Sequence, residues 1–408
     1  MVALALPSSE APIPDVVKPQ SWHVLVILSA LMGFASISTD LYLPAMPTMA
    51  RAFDAGTGAV AWTVSGYLIG FSVGQLFWGP VGDRMGRRLP VAIGLALFVL
   101  GSAGCALAGS IWWEIAFRII QAIGASAGVV LGRAMVRDLY AGDRAAQMMS
   151  TLMTVMAIAP VLGPIVGGQI LTLGGWRTIF WTLVGVGLAT LAALLTLPET
   201  LPAERRSGLP FGRVVAQYAD LVRRRRLMGY IGAGGFFYGG MFAYIAGTPF
   251  AYITYYQVPA QLYGLLFGAG TLGIMITNLL NARLVVRFAG DRLLLGGSAV
   301  AALAAAVLAI TAWTDWGGLW GLVIPLFVFV ATTGFIVANS IAGALSDFPD
   351  RAGMVSALVG ALQYGSGIVG SALVGVFADG TPWPMAWVIA TAGLGALGCA
   401  LLVSRSAE

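Results

Sequence analysis

Two ionisable residues stand inside otherwise apolar runs. Asp40 lies in Ser38-Thr39-Asp40-Leu41-Tyr42-Leu43-Pro44, and Arg118 opens Arg118-Ile119-Ile120-Gln121-Ala122-Ile123-Gly124. Asp40 is the only acid well inside any apolar run. A carboxyl taken out of water can exchange a proton as its surroundings change. An arginine in a membrane span costs a few kcal/mol on insertion scales, so it should face the protein interior and have a partner. At 1.5 Å per residue, both residues sit about 10 Å from the same end of their runs. Asp40 is therefore the best partner for Arg118, and the two are the expected proton-coupling pair. Two alternatives remain: a permanent ion pair that only joins two helices, and an arginine that snorkels to the surface. Glu114 is a lesser proton candidate, placed nearer the interface.

Other interior-facing polar and aromatic residues are candidate substrate contacts: Tyr42, Tyr67, Gln121, Tyr238, Asn278, Asn339 and Gln363. Each can instead bond to a neighbouring helix. The later half has no clear charge inside its runs, which suits a mostly apolar wall and neutral or weakly polar ligands.

The elements that must position these residues follow from composition. Of the 408 residues, 59% are apolar and 10% charged, against about 25% charged in a soluble domain. A membrane helix needs about 20 mostly apolar residues. Twelve such runs can be marked, the first at 22–46 and the last at 383–403. The expected fold class is an all-α polytopic membrane protein. One long polar interval, 198–226, separates six runs from six. The expected organisation is a tail at 1–21, a six-helix bundle at 22–197, a linker at 198–226, a second bundle at 227–403 and a tail at 404–408. No cleavable leader pattern is present. With the N-terminus inside, 18 of the 22 basic residues fall on the cytoplasmic side, so both termini are expected there. At an offset of 196, Tyr67, Phe71 and Gly74 match Tyr263, Phe267 and Gly270, a faint repeat of two halves.

Several chemistries find no support. Gly268 to Gly273 and Gly393 to Gly398 fit G-x-G-x-x-G, but neither follows a strand. Cys105 and Cys399 lie in apolar runs without metal spacing, and His23 is the only histidine. No nucleophile–base motif appears. The expectation is no enzyme, no metal, no cofactor and no nucleic-acid partner. The net charge of +5 is carried mostly by short loops.

Two motifs carry a resemblance. Gly79-Pro80-Val81-Gly82-Asp83-Arg84-Met85-Gly86-Arg87-Arg88 follows the second run. Gly86 can supply a tight turn, and Asp83 can accept charge-assisted bonds from an arginine or a helix N-terminus. The segment resembles the gating loop of the major facilitator superfamily. Its second-half copy, 281–292, lacks the matching acid. Ala159-Pro160-Val161-Leu162-Gly163-Pro164-Ile165-Val166-Gly167-Gly168 resembles the superfamily's antiporter motif, with Pro160, Gly163, Pro164, Gly167 and Gly168 in place. Prolines kink a helix and glycines permit close packing. Leu197-Pro198-Glu199-Thr200 resembles a segment common in the superfamily, and the segment at Ser38 to Pro44, with Val136-Arg137-Asp138-Leu139-Tyr140, is similar to the Bcr/CflA-type drug:proton antiporters. That resemblance implies a major facilitator fold of twelve transmembrane helices in two bundles, in a bacterial inner membrane. It implies export of small lipophilic drugs, such as phenicol- or bicyclomycin-like compounds, against proton entry, by a monomer in the lipid bilayer. The alternative is an exporter of a polar metabolite such as a sugar, nucleoside or amino acid derivative.

Overall fold

The computed structural model describes residues 22–140, 142–206, 220–348 and 352–405. The expected tail at 1–21, part of the linker (207–219) and the last three residues of the second tail lie outside the described residues. The described chain is helical, with no strand. In lipid every backbone polar group must be satisfied within the chain, and a helix does this locally. Among the described residues, ten stretches are long and apolar enough to cross a membrane.

The first half holds α1 (Trp22–Asp40), α2 (Met46–Ala52), α3 (Thr57–Met85), α4 (Arg88–Leu107), α5 (Ile111–Leu139), α6 (Gly142–Gly174) and α7 (Trp176–Leu194). The second holds α8 (Arg225–Pro249), α9 (Ala260–Leu284), α10 (Gly290–Thr314), α11 (Gly318–Ala331), α12 (Thr333–Ser346), α13 (Ala352–Val376) and α14 (Trp383–Arg405). The ten stretches join α1 to α2 and α11 to α12; the other two expected spans fall on α6 and α8. α6 runs through both Pro160 and Pro164 without a break. The tenth expected run, 317–343, is instead divided at Thr332, whose hydroxyl bonds the Phe329 carbonyl.

Within the first half, α3, α4 and α1 pack on α5; within the second, α13 and α14 pack on α8. The halves meet along two main seams, α3 with α13 and α6 with α9. Both are tightest at the end that carries Gly58 and Gly168. There Gly58 has no room for a side chain against the Gly375 carbonyl, and Ser65 Oγ lies 2.8 Å from Ser371 Oγ. On the other seam a Cβ at Gly264 would lie 2.6 Å from the Ile165 amide nitrogen. One turn further along α9, a Cβ at Gly268 would lie 3.7 Å from Val161. On the first seam a cavity of about 40 Å³ separates Ser72 and Gln75 from Gly360 and Tyr364. The seams thus loosen away from the Gly58 end.

Candidate functional site

Pro44 and Pro47 lack the backbone N–H that a continuing helix needs. α1 accordingly stops at Asp40, and the chain passes through a short 3-10 turn, Leu43–Ala45, into α2. Asp40 is thereby the last helical residue, with its side chain 5% exposed. It lines a cavity of about 290 Å³ between the halves. Among the described residues its carboxylate has no hydrogen-bond or ion-pair partner.

Arg118 does not pair with Asp40. It is fully buried, and its Nη1 donates to the Ser38 carbonyl (2.9 Å) and to Gln121 Oε1 (2.6 Å). Its guanidinium lies between two aromatic rings, 4.1 Å from the Tyr42 centroid and 4.4 Å from that of Tyr67. The reason is rotation about α1. The last carbonyls of a helix have no intrahelical partner, and Arg118 takes that of Ser38. Two residues on, the side chain points about 200° further around the axis, so Asp40 faces the cavity instead.

Of the seven candidate substrate contacts, Tyr67 and Asn278 line the cavity. Tyr42 is buried, with its hydroxyl 3.0 Å from Thr63 Oγ1. Gln121 bridges Arg118 to Ser102. Asn339 donates to Asn281 Oδ1 (2.7 Å), and Gln363 is buried where α13 meets Gly234 of α8. Tyr238 packs behind the wall, its ring 6.0 Å from that of Tyr364. Much of the rest of the wall is not among the candidate contacts read from the sequence: Phe71, Met241, Phe242, Phe267, Met275 and Tyr364 among others. The 196-residue offset marks Phe71 and Phe267, repeat counterparts on α3 and α9 that both line the cavity.

At the opposite end from Gly58, Arg87 is the centre of an ion cluster. It reaches Asp83 (2.7 Å) and Asp138 (2.9 Å), while its backbone N–H donates to Glu199 (2.7 Å). The Arg88 N–H also donates to Glu199, at 3.1 Å. Glu199 therefore caps α4, while Asp83 takes the Arg87 side chain instead. Gly86 has φ of +92°, and a Cβ there would press on the Glu199 carboxylate. Burial acts to raise the Glu199 pKa, but the N–H groups of Arg87, Leu201 and Arg88 outweigh it and hold it below the usual value. Gly79 faces open space and Arg84 is exposed. Among the described residues, the hydrogen-bond partners of this loop belong to the first half or the segment just after it. In the second half, Asp291 supplies the acid that the sequence copy lacks: Arg226 reaches it at 3.2 Å and Tyr230 at 2.6 Å.

On α6, Gly163 and Gly167 lie against residues 40–41, and Gly168 lies against Ala260 of α9. Pro160 lines the cavity, and Pro164 is buried beside these glycines.

A buried acid on a cavity between two helical halves defines a membrane transporter architecture. Residues 25–371 match the family model described as Major Facilitator Superfamily. The chain is 37% identical to the "Uncharacterized MFS-type transporter YdgK" of Bacillus subtilis, over 91% of this chain and 93% of that one. It is 31% identical to the "Bicyclomycin resistance protein homolog" of Haemophilus influenzae, over 88% and 90%. It is 30% identical to the "Chloramphenicol resistance protein" of Pseudomonas aeruginosa, over 88% and 86%. The solved D-xylose-proton symporter superposes with a TM-score of 0.73 at 17% identity, covering 94% of this chain and 97% of that one, a likeness of fold. The chain belongs to the major facilitator superfamily and is a multi-pass membrane protein.

Proposed function

We propose that this protein is a proton-coupled antiporter that exports small lipophilic drugs across the bacterial inner membrane by alternating access. The observation that carries the reading is Asp40, an unpartnered carboxyl on the wall of the cavity between the halves. Twelve spans in two bundles rock about that cavity, with the Gly58 end outside and the Arg87 cluster and both termini inside. In the state described, the outer seams are closed. Ionised Asp40 favours drug entry from the cytoplasm. A proton arriving from outside favours drug release and return of the carrier, so the gradient biases two conformations. The protein works as a monomer.

Relatives named for bicyclomycin and chloramphenicol resistance support the drug class. So does the mainly apolar wall: Met241, Phe242, Phe267 and Met275 give the second half an adaptable face, with Tyr244, Thr271, Asn278 and Tyr364 as its few hydrogen-bonding groups. The test is chloramphenicol transport in proteoliposomes with an imposed pH gradient. Wild-type flux should follow the gradient, and Asp40→Asn should uncouple it. Flux that ignores the gradient in the wild type would overturn the coupling, and coupled flux in Asp40→Asn would overturn the role of Asp40.

A further inference from the structure

Glu114 stands in the first turn of α5, one helical turn before Arg118. A first-turn acid that merely complements the helix dipole stays in water. Its neighbours Trp112 and Trp113 lie on the outside of the molecule, at 71% and 63% exposed, whereas Glu114 is 0% exposed. Neither of its carboxylate oxygens accepts a well-formed hydrogen bond among the described residues; the weak thiol donor of Cys105, which reaches the Glu114 backbone carbonyl at 4.0 Å, is the polar group beside them on α4. Nε and Nη2 of Arg118 also lack a hydrogen-bond partner among the described residues. Two unused acceptors and two unused donors thus share one buried compartment. Unmet polar atoms in such a place are costly and call for an explanation.

The charged and titratable groups around Glu114 come from each packed element. They are Arg118 on α5, Cys105 on α4, Arg177 at the start of α7, and Tyr42 between α1 and α2. Arg177 reaches the Ala108 carbonyl (3.1 Å) in the loop before α5, which leads to the Gly58 end of the molecule. Beyond Arg118, Tyr67 bonds Ser38 Oγ (3.2 Å) and lines the cavity with Asp40. The order from the loop inward is therefore Glu114, Arg118, Tyr67, Asp40.

We propose that Glu114 is a second proton-binding carboxyl, lying between the outer surface and Asp40, with Arg118 as its switchable partner. When Glu114 carries a proton, Arg118 keeps the Ser38 and Gln121 contacts seen here. When the proton leaves, the carboxylate draws the free Nε and Nη2 edge of Arg118 towards it and loosens the arginine's hold on the end of α1. Proton occupancy near the outer surface is thereby transmitted to the helix end that carries Asp40. The inference rests on the proton-coupled reading, but its test separates the two.

Infrared difference spectra of the purified full-length protein in lipid, taken between acidic and alkaline pH, report the C=O stretch of protonated carboxyls. The wild type should lose a band with two components. Asp40→Asn should remove one component and Glu114→Gln the other, while Glu114→Asp keeps the second component at a moved frequency. Arg118→Gln should change the pH at which the Glu114 component is lost. A Glu114→Gln spectrum identical to the wild type overturns this proposal and leaves Asp40 untouched. An Asp40→Asn spectrum identical to the wild type overturns the Asp40 reading instead. If Glu114→Gln aggregates, Glu114→Asp decides, and an unmoved band overturns the proposal.

Discussion

Gly163 of α6 lies directly behind Asp40 of α1: a methyl group built on the glycine would come 2.8 Å from the Asp40 Cβ. One turn along, Gly167 has no space at all against the Leu41 carbonyl. The glycines of the Pro160–Gly168 segment thus position the acid by leaving side chains out, which lets the two backbones approach. Forcing a side chain into such a contact costs about 1–3 kcal/mol. Gly163→Val should displace Asp40 from the cavity wall, and Gly167→Val should part α6 from α1. Both should abolish drug resistance in an efflux-deficient host while the protein still reaches the membrane. Full resistance from Gly167→Val at normal membrane abundance would refute this role for the glycines.

Arg118 should not be replaceable by lysine. Its flat guanidinium fits between the rings of Tyr42 and Tyr67 and bonds Ser38 and Gln121 at once. Lysine offers a compact point charge without that plane. A desolvated cation–ring contact contributes about 2 kcal/mol or more. Arg118→Lys should lower the thermal unfolding midpoint and stop transport. Tyr67→Phe keeps the ring and loses only the hydroxyl, which donates to Ser38 Oγ (3.2 Å) and to the Ala35 carbonyl (3.4 Å), so it should cost about 0.5–1.5 kcal/mol. Equal stability of Arg118→Lys and wild type would show that the stacking contributes nothing.

Asp40 and Arg118 could be found in the sequence because a charge in an apolar run is an anomaly with few explanations. Their depth could also be counted. Their rotation could not. In a membrane protein the lipid face and the core face are equally apolar, so hydrophobic periodicity does not say which way a side chain points. That is why Asp40 was matched to an arginine that in fact meets Ser38. It is also why Gln121 and Asn339 were grouped with cavity residues although both serve helix–helix bonds. Glu114 looked interfacial by its count from the helix start, yet it faces inward. Glu199 and Asp291 complete clusters with residues more than sixty positions away, a distance at which spacing carries no signal. The spans and the loop motif were legible because they depend on local runs alone.

Glu199 gives a pH signature. Its pKa is held below the usual 4.5 in the folded protein, with burial opposing and backbone N–H bonds prevailing. A depressed carboxyl adds stability that is fully present above its unfolded value and is lost as pH falls through the folded value. Glu199→Gln should therefore unfold at a lower temperature than wild type at neutral pH. The gap should narrow as the pH falls below the ordinary glutamate value and close once it has passed through the depressed folded value, where both side chains are neutral. Glu199 is partly exposed, so solvent screening limits the difference to about 1 kcal/mol. Thermal melts of both proteins across this range provide the check, and a gap that persists in acid would contradict the assignment.

The hydroxyls of Ser65 on α3 and Ser371 on α13 are 2.8 Å apart across the closed seam. A disulfide needs its Cβ atoms roughly 3.5–4.5 Å apart, and two contacting hydroxyls put the β-carbons within a small adjustment of that range. The double variant Ser65→Cys, Ser371→Cys should cross-link readily under mild oxidation. The native Cys105 and Cys399 sit on other helices, α4 and α14, and single variants control for them. If the Gly58 end must open once per cycle, the bridge should stop drug transport almost completely, and a reductant should restore it. Reduced protein should transport at close to the wild-type rate, because serine to cysteine changes little volume. Unimpaired transport by the fully cross-linked protein would mean that this seam stays shut throughout the cycle, and alternating access through it would have to be abandoned.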